Sequence, residues 1–197
     1  MATENNIHII RLYDLLAMDG GEGFFESVAN SFSSKNADVE EFFRQKAVQA
    51  TKLNTAATYL VISYEGKKFD LLGYFTLATK MLTLKQSSLS KTECKAISRF
   101  GYFDEDSLSY KLPAVLIAQF SRNFHEGSKS IGGSELMDIA LDKIRDILHS
   151  TSGKAVFLEC EQSEKIVGFY LRNGFQPLGN TVLSKDNKEL TQLYMIL

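Results

Sequence analysis

The sequence is poor in the residues that staple small folds or bind metals: 197 residues include two cysteines, two prolines, three histidines and no tryptophan. Cys94 and Cys160 lack the paired spacing of a disulfide framework or zinc site, and the histidines stand far apart. Neither a disulfide scaffold nor a structural zinc site is expected. An excess of one charge is also missing. The 22 basic and 24 acidic residues leave a net charge of −2, which excludes a globally cationic coat for nucleic acid but not a local basic patch. No apolar run approaches the roughly 20 residues of a membrane span, and Met1–Arg11 has neither the basic start nor the apolar middle of a signal peptide. A cytoplasmic protein without membrane contact is the expectation. With 44% apolar residues and no repeat or linker, residues 1–197 read as a single domain with a sizeable core.

Ile7–Leu12 predicts a first strand, followed by a glycine-rich turn at Gly20–Gly23. Asn36 or Ser34 is placed to cap a helix on which Val39, Phe42, Phe43, Ala47 and Ala50 recur at helical spacing. Thr58–Tyr64 and Leu71–Leu84 predict a hairpin turning at Glu65–Lys68. Ser90-Lys91-Thr92-Glu93 is a capping box that opens a short helix towards Arg99. The second half changes rhythm. Leu112–Ala118 is nearly all apolar, as in a strand buried on both faces. A polar loop, Asn123–Ser130, then leads to a helix with Leu136, Ile139, Ala140, Ile144, Ile147 and Leu148 on one face, and Ala155–Cys160 is a second apolar strand. That order predicts a βαβ unit whose parallel strands part at their carboxyl ends. Ser163 is placed to cap a helix ending at Asn173-Gly174, and strands near Thr181–Ser184 and Leu190–Leu197 flank a turn at Lys185–Lys188. The fold class is α/β, a mixed, largely antiparallel sheet with helices on both faces and one parallel pair.

In open α/β sheets ligands settle beyond the carboxyl ends of parallel strands. Here Gln119-Phe120-Ser121-Arg122-Asn123 leaves the strand, and Gly127-Ser128-Lys129-Ser130-Ile131-Gly132-Gly133-Ser134 enters a helix. Small residues let backbone approach a ligand, and the free amides of a helix start favour an anion such as a phosphate. The same composition also serves a plain connection. Downstream, Phe169 and Phe175 read as anchors of a helix on the sheet. Tyr170, on the helix after the second parallel strand, carries a phenol able to donate a proton at the strand ends. No general base is evident, since Glu159 and Glu161 read as solvated or capping acids. His149 lies in a last helical turn and complements the dipole; His125 is a loop residue and His8 a strand residue. From Lys80 to Arg99, five basic residues (Lys80, Lys85, Lys91, Lys95, Arg99) face one acid, Glu93. They suit an RNA backbone or an acidic peptide, or form a solvated face balanced by Asp104-Glu105-Asp106.

The βαβ unit with its phosphate-type loop, followed by Phe169-Tyr170-x-x-x-Gly174-Phe175 and terminal strands, resembles the GNAT superfamily of N-acetyltransferases. The likeness is clearest over the second half of the chain. The earlier run Val39-Glu40-Glu41-Phe42-Phe43-Arg44-Gln45-Lys46-Ala47, leading into Thr58–Val61, is similar to the branch that holds acetyltransferase toxins of bacterial toxin–antitoxin pairs. The resemblance implies acetyl-CoA as co-substrate and no metal. It puts the pantetheine on the strand edge at Phe120, Ser121 and Arg122, and the pyrophosphate on Ser128, Lys129, Ser130, Ile131, Gly132, Gly133 and Ser134. Tyr170 falls where the family protonates the departing thiolate. The family loop reads Arg or Gln, two residues, Gly, one residue, Gly or Ala. Aligned on Gly133 it places Ser128 and Ile131 at the marked positions; shifted by one it places Lys129, Gly132 and Ser134 there. Isoleucine donates the same backbone amide as glycine where no positive φ is needed. Three functions stay open: N-acetyl transfer to a primary amine of a small molecule or peptide, toxin-like acetylation of aminoacyl-tRNA, or coenzyme-A binding by a regulatory protein without turnover. The resemblance also allows a homodimer and an antitoxin partner.

Overall fold

The computed structural model describes residues 7–65, 68–184 and 187–197. Strand β1 (Ile7–Arg11) runs straight into a short helix, α1 (Leu12–Leu16), and α2 (Gly21–Asn30) follows. Gly20–Gly23, expected as a turn alone, opens α2 instead. Gly20 takes φ 71° as N-cap, and a Cβ on Gly21 would collide with the Leu15 carbonyl, so glycine alone lets the two helices meet there. Asn36, rather than Ser34, caps α3 (Ala37–Glu41), its side-chain oxygen accepting from the amides of Asp38 (2.9 Å) and Val39 (3.3 Å). The helical spacing then slips through a π turn at Phe42–Lys46 before α4 (Ala47–Lys52). Phe43, Ala47 and Thr51 become the buried stripe, with Val39 and Phe42 beside it.

Strands β2 (Ala57–Glu65) and β3 (Lys68–Lys85) form the expected antiparallel pair; Gly66 and Lys67 of the expected turn lie outside the described residues. Helix α5 (Lys91–Ile97) carries the capping box, with Ser90 N donating to Glu93 Oε2 (2.8 Å) and Glu93 N to Ser90 Oγ (3.2 Å). A three-residue strand, β4 (Tyr102–Asp104), without a sequence signal of its own, pairs with β5 (Ser109–Arg122). β5 outruns its apolar core at both ends, and Gln119–Arg122 continues the strand instead of leaving it. β3 is its neighbour, and Gly73 makes the approach feasible: a Cβ there would come within 2.7 Å of the Ser121 carbonyl oxygen.

The remaining elements are α6 (Gly133–Thr151), β6 (Ala155–Glu161), α7 (Glu164–Arg172), β7 (Gln176–Leu183) and β8 (Glu189–Ile196). α7 stops at Asn173-Gly174 with Gly174 at φ 87°, as expected. Ser163 occupies its N-cap, but the hydroxyl makes no capping bond; only its carbonyl does, accepting from Val167 N (2.8 Å). Lys185 and Asp186 of the expected turn between β7 and β8 are outside the described residues. The strand order is β1-β2-β3-β5-β6-β8-β7, with β4 beside β5. β5 and β6 are parallel, as expected, from Ala114↔Ala155 to Ile117↔Leu158. The parallel ladder ends there, although β5 continues to Arg122 and β6, still paired with β8, to Glu161. The sheet is mixed and largely antiparallel, with helices on both faces.

The chain divides into two compact units: Met1–Ala78 with Ala118–Ala140, and Thr79–Ile117 with Leu141–Leu197. The first has an aromatic core in which the Phe43 ring lies 4.3 Å from Tyr74 and 4.7 Å from Phe32, centroid to centroid. The Tyr74 hydroxyl donates to the Val39 carbonyl (2.6 Å), which gives the buried phenol a partner. The second unit packs Leu82, Leu84, Ile97, Leu112, Ala155, Phe157 and Leu178. Among the described residues no helix is long and apolar enough to cross a membrane.

Candidate functional site

The proposed coenzyme residues all lie in the first unit, on the last residues of β5 and the segment entering α6. Ser121 is buried, and its hydroxyl donates to the Arg122 carbonyl (2.8 Å) and faces Ser34 Oγ at 3.0 Å. Arg122 sends Nη1 to the Ile131 carbonyl (2.9 Å), so the strand end grips the loop ahead of the helix. Between them in space stands a residue to which sequence reasoning gave no role. Asn123 is 5% exposed. Its Oδ1 accepts from Ser33 N (3.1 Å) and His125 N (2.9 Å), while Nδ2 donates to the carbonyls of Ser31 (3.1 Å) and Leu71 (3.0 Å) and contacts Ser128 Oγ at 3.3 Å. One amide therefore ties together the loop after α2, strand β3 and the start of the glycine-rich segment. The signal in the sequence is only a lone Asn after a strand; its partners are remote in the chain.

Along Ser128–Ser134 the backbone has no positive φ, the nearest being Gly127 at φ 80°. Ser128 and Ile131 thus sit without backbone strain at the positions where the resemblance expects other residues, and the Ile131 side chain is buried. Ser128 N donates to the His125 carbonyl (3.2 Å). Among the described residues, the amides of Ser130, Ile131, Gly133 and Ser134 find no acceptor in the chain. Gly133 and Ser134 are the first residues of α6, where amides are unpaired by geometry and the dipole favours an anion. The Gly132 amide reaches the Glu135 carboxylate at 3.4 Å, an acid already in the position a phosphate would use. Small side chains, donor amides and permissive backbone fit the phosphates of a coenzyme.

Tyr170 belongs to the second unit, on α7, half-buried, with its ring edge-on to Phe169 (5.1 Å) and Phe175 (5.9 Å). Burial, with a smaller push from Cys160, raises the phenol above its ordinary value. It keeps its proton at every working pH but yields it reluctantly, so its chemistry is that of a hydrogen-bond donor to developing negative charge. Cys160 is itself pushed up to about 11 by burial and the Glu161 charge, consistent with an inert thiol. Glu159 and Glu161 are exposed, Glu159 accepting from Gln192 Nε2 (2.8 Å). His8, His125 and His149 are exposed. Among the described residues no group of His, Cys, Asp and Glu is gathered to hold a metal ion. Lys80, Lys85, Lys91, Lys95 and Arg99 are all exposed, and among the described residues none forms an ion pair. Asp104, expected to offset them, is engaged by Lys111 instead (2.5 Å).

No family model matches the sequence, and no curated protein matches it significantly. Solved structures do match. AtaT complexed with acetyl-methionyl-tRNAfMet aligns with a TM-score of 0.64 at 18% identity, covering 96% of this chain and 94% of that one. A tyrosine-to-phenylalanine mutant of KacT gives 0.64 at 20% identity, over 97% and 95%. A mutant of the AtaT toxin bound to the C-terminus of the antitoxin AtaR and acetyl-CoA gives 0.56 at 13% identity, over 98% and 94%. The chain shares the GNAT-like fold of these structures over 96–98% of its length, the fold its motifs implied.

Proposed function

We propose that this GNAT-fold protein is an acetyl-CoA-dependent N-acetyltransferase whose acceptor is the free amino group of an aminoacyl-tRNA. The reading is carried by the match over 96% of the chain to AtaT captured with acetyl-methionyl-tRNAfMet. The likeness includes the first half of the chain, where a fold shared only through the βαβ unit would have diverged. Five exposed cations between Lys80 and Arg99, unpaired among the described residues, add positive charge available to a polyanion on a protein whose net charge is −2.

Acetyl transfer from a thioester needs a neutral amine set against the carbonyl, stabilisation of the oxyanion and stabilisation of the leaving thiolate. Bound acetyl-CoA supplies the activated acetyl group. On the protein's side, the amides of Ser130, Ile131, Gly133 and Ser134 hold phosphate oxygens, and the backbone of Phe120–Arg122 offers the strand edge for the pantetheine. Asn123 and Arg122 fix that edge against the loop, a positioning effect that can take several kcal/mol off the barrier. Tyr170 donates a hydrogen bond to the thiolate. No side chain is assigned as general base, and the ammonium loses its proton to water. Coenzyme A release is the test, followed across small amines, peptides and aminoacyl-tRNAs, with mass spectrometry of the aminoacyl group. Acetylation of the charged tRNA well above every small amine is expected. Preference for a free amine would return the enzyme to small-molecule or peptide chemistry, and tight coenzyme binding without turnover would make it a regulatory protein.

A further inference from the structure

We propose that Phe124, flanked by Lys35 and Arg122, is a stacking platform for the single-stranded 3′ end of the acceptor RNA, an inference that rests on the aminoacyl-tRNA reading and gives it a contact. Phe124 follows directly on β5 and is 36% exposed, outside the aromatic core of its unit. Two cations approach its ring, Lys35 Nζ at 4.8 Å and the Arg122 guanidinium carbon at 4.9 Å from the centroid. Two like charges gathered on one ring repel each other, and the ring's quadrupole offsets this only in part; an anion among them removes the repulsion.

The arrangement is preset. Phe124 N donates to the Ser33 carbonyl (2.8 Å), fixing the ring's backbone to the loop that carries Lys35. Arg122 is anchored through Nη1 to the Ile131 carbonyl (2.9 Å), and Asn123 between them is buried and saturated with hydrogen bonds. Apart from the Lys35 ammonium, a ligand therefore meets ordered groups and pays little to arrange them. Proteins hold single strands with an exposed aromatic ring and adjacent cations: here the exposed Lys35 ammonium moves off the ring to meet a phosphate, and a base takes its place on that face. The position, past the carboxyl end of β5, is where α/β sheets receive ligands.

The test measures anisotropy of a labelled, uncharged acceptor-stem minihelix with a single-stranded 3′ end, using the full chain. Phe124→Ala is expected to weaken binding by roughly ten- to a hundredfold, the scale of one stacked base. Phe124→Leu, which keeps apolar bulk without a π face, is expected to behave like alanine, and Phe124→Trp to bind at least as well as wild type. Lys35→Ala is expected to flatten the slope of log K against log salt by about 0.7, one single-strand phosphate contact. Acetyl-CoA affinity by calorimetry stays unchanged in all four. Equal minihelix affinity in the alanine, leucine and wild-type proteins overturns the platform, as does a wild type that binds no minihelix. A loss that falls on acetyl-CoA instead also overturns it, the ring then serving the coenzyme's nucleotide. Because binding is read without turnover, a protein that stacks the minihelix on Phe124 yet acetylates no charged tRNA sinks the activity alone. Flat variants of an active enzyme sink the platform alone.

Discussion

The two units hold their candidate functional residues by different physics. In the first, the strand end and the loop entering α6 are fixed by buried, directional bonds: Asn123 to Ser31, Ser33, Leu71 and His125, Ser121 to Ser34 and Arg122 to Ile131. In the second, Tyr170 is held by rings, edge-on to Phe169 and Phe175, on a helix whose N-cap serine makes no side-chain bond. Directional networks fail abruptly when one partner goes, because the survivors are left buried and unpaired. Ring packing tolerates a swap that keeps the ring. Equal-sized changes should therefore do unequal damage in the two units.

The largest effect is expected at Gly133. Its backbone is not in the left-handed region, so a side chain there carries no backbone strain, and Gly133→Glu, checked for folding by circular dichroism, sets a negative charge against incoming phosphates and should abolish acetyl-CoA binding by calorimetry. Glu135→Ala is the mirror experiment: removing the acid at the Gly132 amide should tighten the coenzyme modestly. Tyr170→Phe comes next. Packing and coenzyme affinity should hardly change, while turnover falls by ~10–10³-fold, one hydrogen-bond contribution to the developing thiolate charge. A parallel loss of affinity would mean that the phenol holds the coenzyme, and no loss that it only packs. Asn123→Ala should cost about 2–4 kcal/mol in urea unfolding, since it orphans two carbonyls and two amides, and should weaken acetyl-CoA as the loop loosens. Its counterpart in the second unit, Gln192→Ala, breaks only an exposed bond to Glu159 and should stay within about 0.5 kcal/mol.

The smallest effect concerns pH. Asp104 is held at about 2 by hydrogen bonds from Lys111 and Ser107. Since the folded value lies below the ordinary carboxylate value of about 3.9, the pairing stabilises the fold above that pH and is lost as pH falls through about 2. Lys111 is pushed up by the same partner. Its share is fully present below its ordinary value and goes only as pH rises through the folded one. Stability should be flat near neutrality. The Asp104 carboxyl, followed by NMR, should titrate near 2 and move up in Lys111→Met.

Much of this comparison was legible in the sequence where a signal was local. The capping box at Ser90–Glu93, the Asn36 cap, the Gly174 stop and the apolar runs of β5 and β6 each announce themselves within a few residues. What escaped was set by distant partners. Gly20 and Gly21 look like a turn because the Leu15 carbonyl that forbids a side chain is a tertiary neighbour. Gln119–Arg122 looks like a loop because polar residues hide a strand held by its neighbour β3. The π turn at Phe42–Lys46 shifts a helical stripe that periodicity draws straight. Asn123 is illegible for the same reason, since its side-chain partners include Ser31, Ser33 and Leu71. Composition marked the segment entering α6 as a candidate anion site, and the family resemblance proposed a coenzyme for it; only the fold shows what braces it.

The most direct test of that loop is an amide-resolved NMR titration of the full chain with acetyl-CoA. The amides of Ser130, Ile131, Gly133 and Ser134 should shift first and furthest, and the Gly132 amide should move as Glu135 gives way to phosphate. If those amides stay still while acetyl-CoA binds elsewhere, or if no amide responds, the loop entering α6 is only a connection and the acetyltransferase reading fails with it.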